Sequence, residues 1–164
     1  MKARHLISGN ARFVSPIFSR QWTLIEDGHE LVTATRSVFR RTSRIHGSED
    51  TPDWTIEPAG WGTLVLRQEG RELARAERQD ALGRHWLLTS PDFSYELTAK
   101  SMLLRRWTIG QAGTPTTQLQ GAMLNFNRLN IDTMLPVPLA AVLLSWHMIV
   151  RAWEAAAAAG GGGG

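Results

Sequence analysis

The chain has 164 residues, 43% of them hydrophobic, which is the size of one domain with a substantial buried core. It contains no cysteine, and this excludes a disulfide scaffold, a thiolate zinc site, a cysteine nucleophile and palmitoylation. The net charge of +3 is too small to indicate nucleic-acid binding, although nearly all the basic residues are arginines, whose planar guanidinium groups suit carboxylate and phosphate partners.

Residues 1–20 are interpreted as an N-terminal arm or a first strand. Met1–Asn10 includes three basic or histidine side chains but no apolar run of signal-peptide length. We therefore expect a cytoplasmic protein, with a peripheral position at the inner face of the membrane as the alternative.

Turn signals at short intervals predict a series of antiparallel strands from residue 21 onward. Asp27-Gly28 and Glu69-Gly70 each lie between alternating or β-branched segments, which is typical of hairpins with a type I′ turn. Phe93–Ala99 alternates apolar with polar residues and predicts a strand with one buried face. With the less regular segments Ser37–Ile45 and Trp54–Glu57 included, the pattern predicts roughly nine to eleven strands, and the resemblance given below extends the expected range to about nine to twelve.

The acidic stretch Gly47–Pro58 is interpreted as a solvated loop. It contains Glu49, Asp50 and Asp53, but it lacks the central glycine and closing glutamate of a calcium loop.

None of the five histidines lies in a hydrolase or zinc-protease motif, and no pair of them has metal-ligand spacing. We therefore predict no metal, no cofactor and no enzymatic activity.

The apolar segment Leu135–Trp153 predicts a helix, because Pro136 and Pro138 fit a first helical turn, where a missing N–H is harmless. From Pro138 to Trp153 it would span roughly 24 Å, less than the roughly 30 Å of a bilayer core. A helix that is apolar on nearly every side must be covered, and the strands can cover it if they close around it. The alternative is a transmembrane segment at 135–153.

The predicted fold is thus a mainly β protein, a closed antiparallel barrel around a central hydrophobic C-terminal helix. Residues 21–154 form this single domain, with the helix at 135–154. The tail 155–164, five alanines and five glycines, is expected to extend the helix briefly and is left out of the function.

The hairpins from Trp22 to Asn127, followed by the run LPVPLAAVLLSWHMIVRAW at Leu135–Trp153, resemble the tubby-like superfamily. That superfamily includes tubby carboxy-terminal domains, LURP-one-related proteins and phospholipid scramblases. The resemblance implies a twelve-strand barrel around a helix, with roles in phosphoinositide binding or lipid-linked signalling. The cysteine cluster that scramblases use is missing, so the resemblance gives little support to scrambling activity.

Arginines are the candidate binding residues, because four lie within nine residues and an adjacent pair follows later in the chain. Strand alternation would put Arg40 and Arg44 on one face and Arg41 on the other. For each arginine the alternative is a solvated strand face that discourages edge pairing. The candidate anion- or lipid-binding residues are Arg36, Arg40, Arg41, Arg44, Arg105 and Arg106.

Large aromatic and histidine side chains are assigned mainly to the core. Seven tryptophans would fill the space between a barrel wall and its helix, and Trp54 or Trp61 would be the one at a membrane-facing rim. His147 is expected to be a buried histidine bonded to a strand carbonyl, with a pH-sensitive group or a ligand as the alternative.

Three functional hypotheses follow. The first is a non-enzymatic protein that binds anionic phospholipid headgroups through arginine, or a membrane-associated scaffold for a protein partner. The second is a membrane-anchored protein that uses 135–153 as its span. The third is a small-ligand carrier or an enzyme with a pocket at the barrel mouth.

Overall fold

A computed structural model describes residues 5–17, 19–37, 39–47, 52–101, 103–122 and 126–161. These residues form fourteen strands and one helix, numbered in chain order. The strands are β1 (Leu6–Ile7), β2 (Asn10–Val14), β3 (Gln21–Glu26), β4 (His29–Arg36), β5 (Ser43–His46), β6 (Trp54–Pro58), β7 (Thr63–Gln68), β8 (Arg71–Arg78), β9 (His85–Ser90), β10 (Phe93–Ala99), β11 (Arg106–Gln111), β12 (Thr114–Gly121), β13 (Arg128–Thr133) and β14 (Val137–Pro138). The helix, α1, is Leu139–Gly161.

Twelve strands, β2 to β13, close into one antiparallel barrel in which each strand pairs with its neighbours in sequence. The barrel is sealed where β13 pairs with β2, with Leu129 opposite Phe13. This confirms the predicted closed antiparallel barrel. The short strands β1 and β14 pair separately, with Ile7 opposite Val137, and lie where the chain enters the helix.

Two-residue turns join four of the hairpins, and two of these turns were predicted as type I′. Asp27-Gly28 has φ values of 50° and 81°, and Glu69-Gly70 has 49° and 80°, which are the positive values of type I′ turns. Ala112-Gly113 adds a third turn of the same kind, with φ values of 49° and 79°. The right-handed strand twist favours these turns, so the local sequence sets the register of each hairpin.

Two predicted boundaries are wrong. Ser37–Ile45 is not one strand, because Arg41 has a φ of 53°, outside the extended region, and the Ser37 N–H donates to the Thr42 carbonyl at 2.9 Å to close a loop. Trp54–Pro58 is strand β6, which confirms the predicted strand at Trp54–Glu57, so the acidic loop predicted at Gly47–Pro58 ends before Trp54. Glu49 and Asp50 of that loop lie outside the described residues.

The helix lies inside the barrel, as predicted. Every residue from Leu139 to Val150 except Ala140, Met148 and Val150 is at most 1% exposed, and those three are at most 4% exposed. Trp146 stacks on Phe13 of β2 with ring centroids 5.2 Å apart. The strands therefore supply the apolar surroundings that the helix requires.

The helix begins at Leu139, not at Leu135 as predicted. Val137 and Pro138 pair with β1 instead, and the Leu139 N–H donates to the His5 carbonyl at 2.9 Å. A residue before proline is held in an extended conformation, which explains the later start. At its other end the helix continues through the alanines to Gly161.

Among the described residues, no helix combines the length and apolarity needed to cross a membrane.

The two ends of the barrel differ in their connections, because alternate loops of an antiparallel barrel meet at the same end. The helix starts beside β1 at the entry end, which carries the tight hairpin turns. It leaves the barrel at the other end, here called the exit end, where the Trp153 indole N–H donates to the Leu104 carbonyl at 2.8 Å. The six exit-end loops are 15–20, 37–42, 59–62, 79–84, 100–105 and 122–127.

Gly121→Ala should lower the free energy of unfolding by about 1–3 kcal/mol, because overpacking displaces a fixed side chain. An added Cβ would lie 2.5 Å from Cζ2 of Trp153. That indole is held by its bond to Leu104 and by Phe126, whose ring centroid is 5.4 Å away. Urea denaturation measures the loss. Gly160→Ala is the control: a Cβ there meets nothing within 4 Å, so stability should be unchanged or slightly higher.

Candidate functional site

Arg36 is the innermost member of a group of arginines at the exit end. Val32, Ala34 and Arg36 alternate along β4 and all face the interior, so the last of them carries its guanidinium into the barrel. Arg36 is 5% exposed, and its Nη1 donates to Oε1 of Glu154 on the helix at 2.7 Å. Burial lowers the pKa of Arg36, Glu154 opposes this shift, and Arg151 adds to it.

Arg41, Arg78 and Arg151 line one small cavity at the exit end. It has a volume of about 150 Å³ and includes Trp61 and Trp86 in its wall. Burial lowers the pKa of Arg151, and the neighbouring guanidinium groups of Arg41 and Arg78 lower it further, against the carboxylate of Glu154. Side chains from a loop, a strand and the helix are therefore close enough to repel one another.

Arg78 is fixed between two indole rings. Its Cζ lies 5.4 Å from the ring centroid of Trp61 and 5.4 Å from that of Trp86. The Trp86 indole N–H donates to the Gly83 carbonyl at 2.9 Å, which fixes one ring, whereas Trp61 is 87% exposed. The guanidinium group of Arg78 thus lies near solvent, against the exposed indole of Trp61.

We name Arg36, Arg41, Arg78 and Arg151 the arginine cluster. Guanidinium groups stay protonated in proteins, and Glu154 offsets the charge of two of these four: it pairs with Arg36 and attracts Arg151. The buried Nε atoms of Arg36 and Arg78 have no hydrogen-bond partner among the described residues. An anion with several acceptor oxygens would relieve the repulsion and accept unused N–H groups.

The cluster includes only two of the arginines predicted from the sequence, Arg36 and Arg41. Arg40 is exposed in the same loop, but it is not on a strand, so the predicted alternation of Arg40, Arg41 and Arg44 is wrong. Arg44 faces outward from β5, with Nε 3.7 Å from Oδ2 of Asp53.

The second predicted pair lies elsewhere at the exit end. Arg105 is half-buried, with its Cζ 5.2 Å from the ring centroid of Phe126, and its backbone N–H donates to the Ser101 hydroxyl at 3.0 Å. Arg106 is exposed on β11. The sequence grouping of six arginines is therefore spread over the inside, the rim and the outer wall.

Sequence reasoning missed Arg78 and Arg151. Arg151 had a detectable signal, since it is the first charged residue after a long apolar helix and must lie where the helix leaves its cover. The signal for Arg78 was weaker: it is the last residue of a strand in which Ala74 and Ala76 face the interior, so alternation puts Arg78 on the same face. Their convergence with Arg41 depends on the barrel closure.

One of the two tryptophans predicted at a rim is there. Trp61 lies in loop 59–62 and is exposed, as predicted, whereas Trp54 is completely buried at the start of β6, so its predicted exposure is wrong. The exposed indole belongs to the exit end, beside the arginine cluster.

His147 is a buried core histidine, as predicted, but its partner is not a strand carbonyl. Its Nδ1 lies 2.8 Å from the Ser43 hydroxyl of β5. Burial, and then Arg36 and Arg151, hold the pKa of His147 well below its usual range. Both side chains are at most 1% exposed, so this serine–histidine pair has no access for a substrate and acts in packing.

Two further findings concern the other hypotheses. At the entry end, a mainly apolar cavity of about 510 Å³ includes Leu6, Leu73 and Phe93 in its lining, and a small ligand of the third hypothesis would bind there. Among the described residues, no three histidine, aspartate or glutamate side chains lie close enough to hold a metal ion.

Comparisons with known proteins identify no relative, since no family model, curated protein or solved structure matches this chain.

Proposed function

We propose that this protein binds anionic phospholipid headgroups at a membrane surface, without catalysing a reaction. The arginine cluster is the observation that carries the proposal. Phosphate and carboxylate groups of lipids offer several oxygens to guanidinium donors, which bind them with short, charge-assisted hydrogen bonds. The barrel and its helix serve as a rigid scaffold that presents those donors.

The geometry of the cluster supports an anion as the partner. Arg41 lines the cavity from loop 37–42 and Arg151 lines it from the helix, and the guanidinium of Arg78 contacts the rings of Trp61 and Trp86. Such a site is organised before binding, so little conformational entropy is lost when an anion enters. The cavity of about 150 Å³ suits one phosphate group rather than a large organic molecule.

The resemblance to the tubby-like superfamily supports the same proposal, because it implies phosphoinositide binding by basic residues. The barrel around a helix agrees with that resemblance in architecture. Cytoplasmic location with a peripheral position at the inner membrane face also remains part of the proposal, since that leaflet carries the anionic lipids. A protein partner is the alternative occupant of the same surface.

Vesicle sedimentation tests the proposal. Phosphatidylcholine vesicles that contain phosphatidylserine or a phosphoinositide should retain the protein at low salt, and pure phosphatidylcholine should retain much less. Arg41→Glu with Arg151→Glu should weaken retention by up to about a thousandfold, because each basic residue near the surface contributes about 1 kcal/mol and reversal doubles the change, for about 4 kcal/mol from the two. Higher salt should weaken retention of the unmodified protein.

The matched control is Arg71→Glu, which changes one exposed arginine at the entry end, away from the cluster. Its vesicle affinity should stay close to that of the unmodified protein. Circular dichroism of each variant checks that the barrel is intact. If anionic vesicles do not retain the unmodified protein at low salt, or if Arg71→Glu weakens binding as much as the cluster variant, the proposal is wrong.

A further inference from the structure

Among the residues that the structure describes, each of the six exit-end loops carries one large, solvent-exposed apolar side chain. Their exposed fractions run from 46% to 91%. We name this set the apolar crown: Ile17, Phe39, Trp61, Leu82, Leu103 and Phe126. Leu6, Met134 and Leu135, the other exposed large apolar side chains of the described residues, lie at the entry end beside β1 and β14.

Every member of the apolar crown is accompanied by an arginine. Phe39, Leu82, Leu103 and Phe126 are each followed two positions later by Arg41, Arg84, Arg105 and Arg128, and Ile17 is followed three positions later by Arg20. Trp61 is stacked against Arg78. An apolar tip beside a cation matches the layering of a lipid surface, where acyl chains lie just below the phosphates.

The connecting loops at the two ends carry charges of opposite sign. In sequence, the six exit-end loops contain six basic residues and one acidic residue, Asp80, for a net charge of 6 − 1 = +5. The carboxylate of Asp80 accepts backbone N–H groups of Arg84 and His85 at 2.8 and 3.1 Å. The entry-end turns contain no basic residue but include Asp27, Asp53, Glu69 and Asp92. This polarity would orient the molecule in the field of an anionic surface.

From these observations we propose that the exit end is a membrane-penetrating surface. The apolar crown enters the lipid headgroup layer from six loops at once, and the barrel stands on the bilayer with its entry end in water. This inference rests on the proposed headgroup binding. It adds how the protein is oriented on the membrane, and it identifies the partner as the lipid bilayer and not a soluble phosphate compound. Separate apolar tips interspersed with arginines fit a fluid lipid surface better than a complementary protein face, which needs a continuous apolar centre.

The absence of cysteine makes the orientation measurable with single labels. Phe39→Cys, Leu82→Cys and Leu103→Cys place an environment-sensitive nitrobenzoxadiazole label on three exit-end loops, and Met134→Cys places it on an exposed apolar position of the entry end. With vesicles of phosphatidylcholine and phosphatidylserine, the three exit-end labels should shift to shorter emission wavelengths and be quenched by nitroxide lipids. The Met134→Cys label should do neither.

Unlabelled variants measure the contribution of the apolar tips to affinity. Trp61→Ala should weaken vesicle binding by about tenfold, since full burial of a large apolar side chain has an effect of that size or more. Met134→Ala should leave it unchanged. Inositol hexakisphosphate, a soluble phosphate compound, should occupy the arginine cluster without shifting any label.

The outcomes separate this inference from the proposed function. Vesicle binding with no exit-end label inserted would overturn the inference and leave headgroup recognition standing. If Arg41→Glu with Arg151→Glu does not affect insertion of the labels, the apolar crown enters the membrane as inferred, but the arginine cluster does not bind the headgroups. Failure to bind any vesicle would overturn both. Label shifts in plain buffer that grow with protein concentration would assign the crown to contacts between protein molecules and overturn the inference.

Discussion

Trp146→Ala should reduce the free energy of unfolding by about 3–5 kcal/mol, the usual effect of removing a buried large aromatic side chain. Trp146 is fully buried in the middle of the helix, and its ring stacks on Phe13 and meets the edge of Trp22 at 6.1 Å. The vacated space borders several strands of a closed barrel, which cannot collapse around it without breaking strand pairs. Urea denaturation of both proteins measures the loss as a shift of the midpoint at constant slope.

Trp146→Phe is the matched control, because it keeps an aromatic ring against Phe13. The indole N–H of Trp146 has no hydrogen-bond partner among the described residues, so removing it breaks no bond. Trp146→Phe should therefore lose markedly less stability than Trp146→Ala. Equal losses in the two variants would show that the packing against Phe13 is not what stabilises the helix in the barrel.

The fold was predictable because local and global signals agree. Asp-Gly and Glu-Gly turns specify hairpins, alternation specifies which face of a strand is buried, and one continuous apolar helix requires a cover that only the strands supply. The errors occur where a single residue departs from its segment. Arg41 adopts a positive φ that ends a predicted strand, and Pro138 holds the chain extended and delays the helix.

The arginine cluster was only half predictable. Arg36 follows from the alternation of β4, but nearness along the sequence is a poor guide on a barrel, where each hairpin carries residues away to the opposite end. Arg44 is only three residues from Arg41, yet it faces outward. Arg78 and Arg151 join Arg41 from distant parts of the chain because loops 37–42, 59–62 and 79–84 lie beside the point where the helix leaves the barrel. These arginines meet only because the barrel closes, and no local sequence pattern specifies that closure.

Acidification should destabilise this protein through His147. Its pKa in the folded state is held well below the usual value by burial and by the positive charges of Arg36 and Arg151. In the unfolded chain the imidazole takes up a proton near pH 6.5, whereas in the folded protein it stays neutral. Below that pH the unfolded state binds more protons, so the free energy of unfolding falls as pH falls, by at most about 1.4 kcal/mol per pH unit and about 2 kcal/mol at pH 5.

His147→Asn isolates this contribution, because the amide can still hydrogen-bond the Ser43 hydroxyl but does not titrate. Urea denaturation at pH 7.5 and pH 5 should show a loss in the unmodified protein that exceeds the loss in His147→Asn by about 2 kcal/mol. The other four histidines are present in both proteins, so they cancel from the difference. Equal losses of stability in the two proteins would contradict the prediction, as would an imidazolium signal from His147 in the folded protein at pH 5.5. Either result would mean that a negative charge lies close enough to His147 to stabilise its protonated form. Burial is the main cause of the lowered pKa of His147, and Arg36 and Arg151 of the arginine cluster lower it further. An anion bound at the cluster would offset that second part, so it should slightly reduce the acid sensitivity of the unmodified protein.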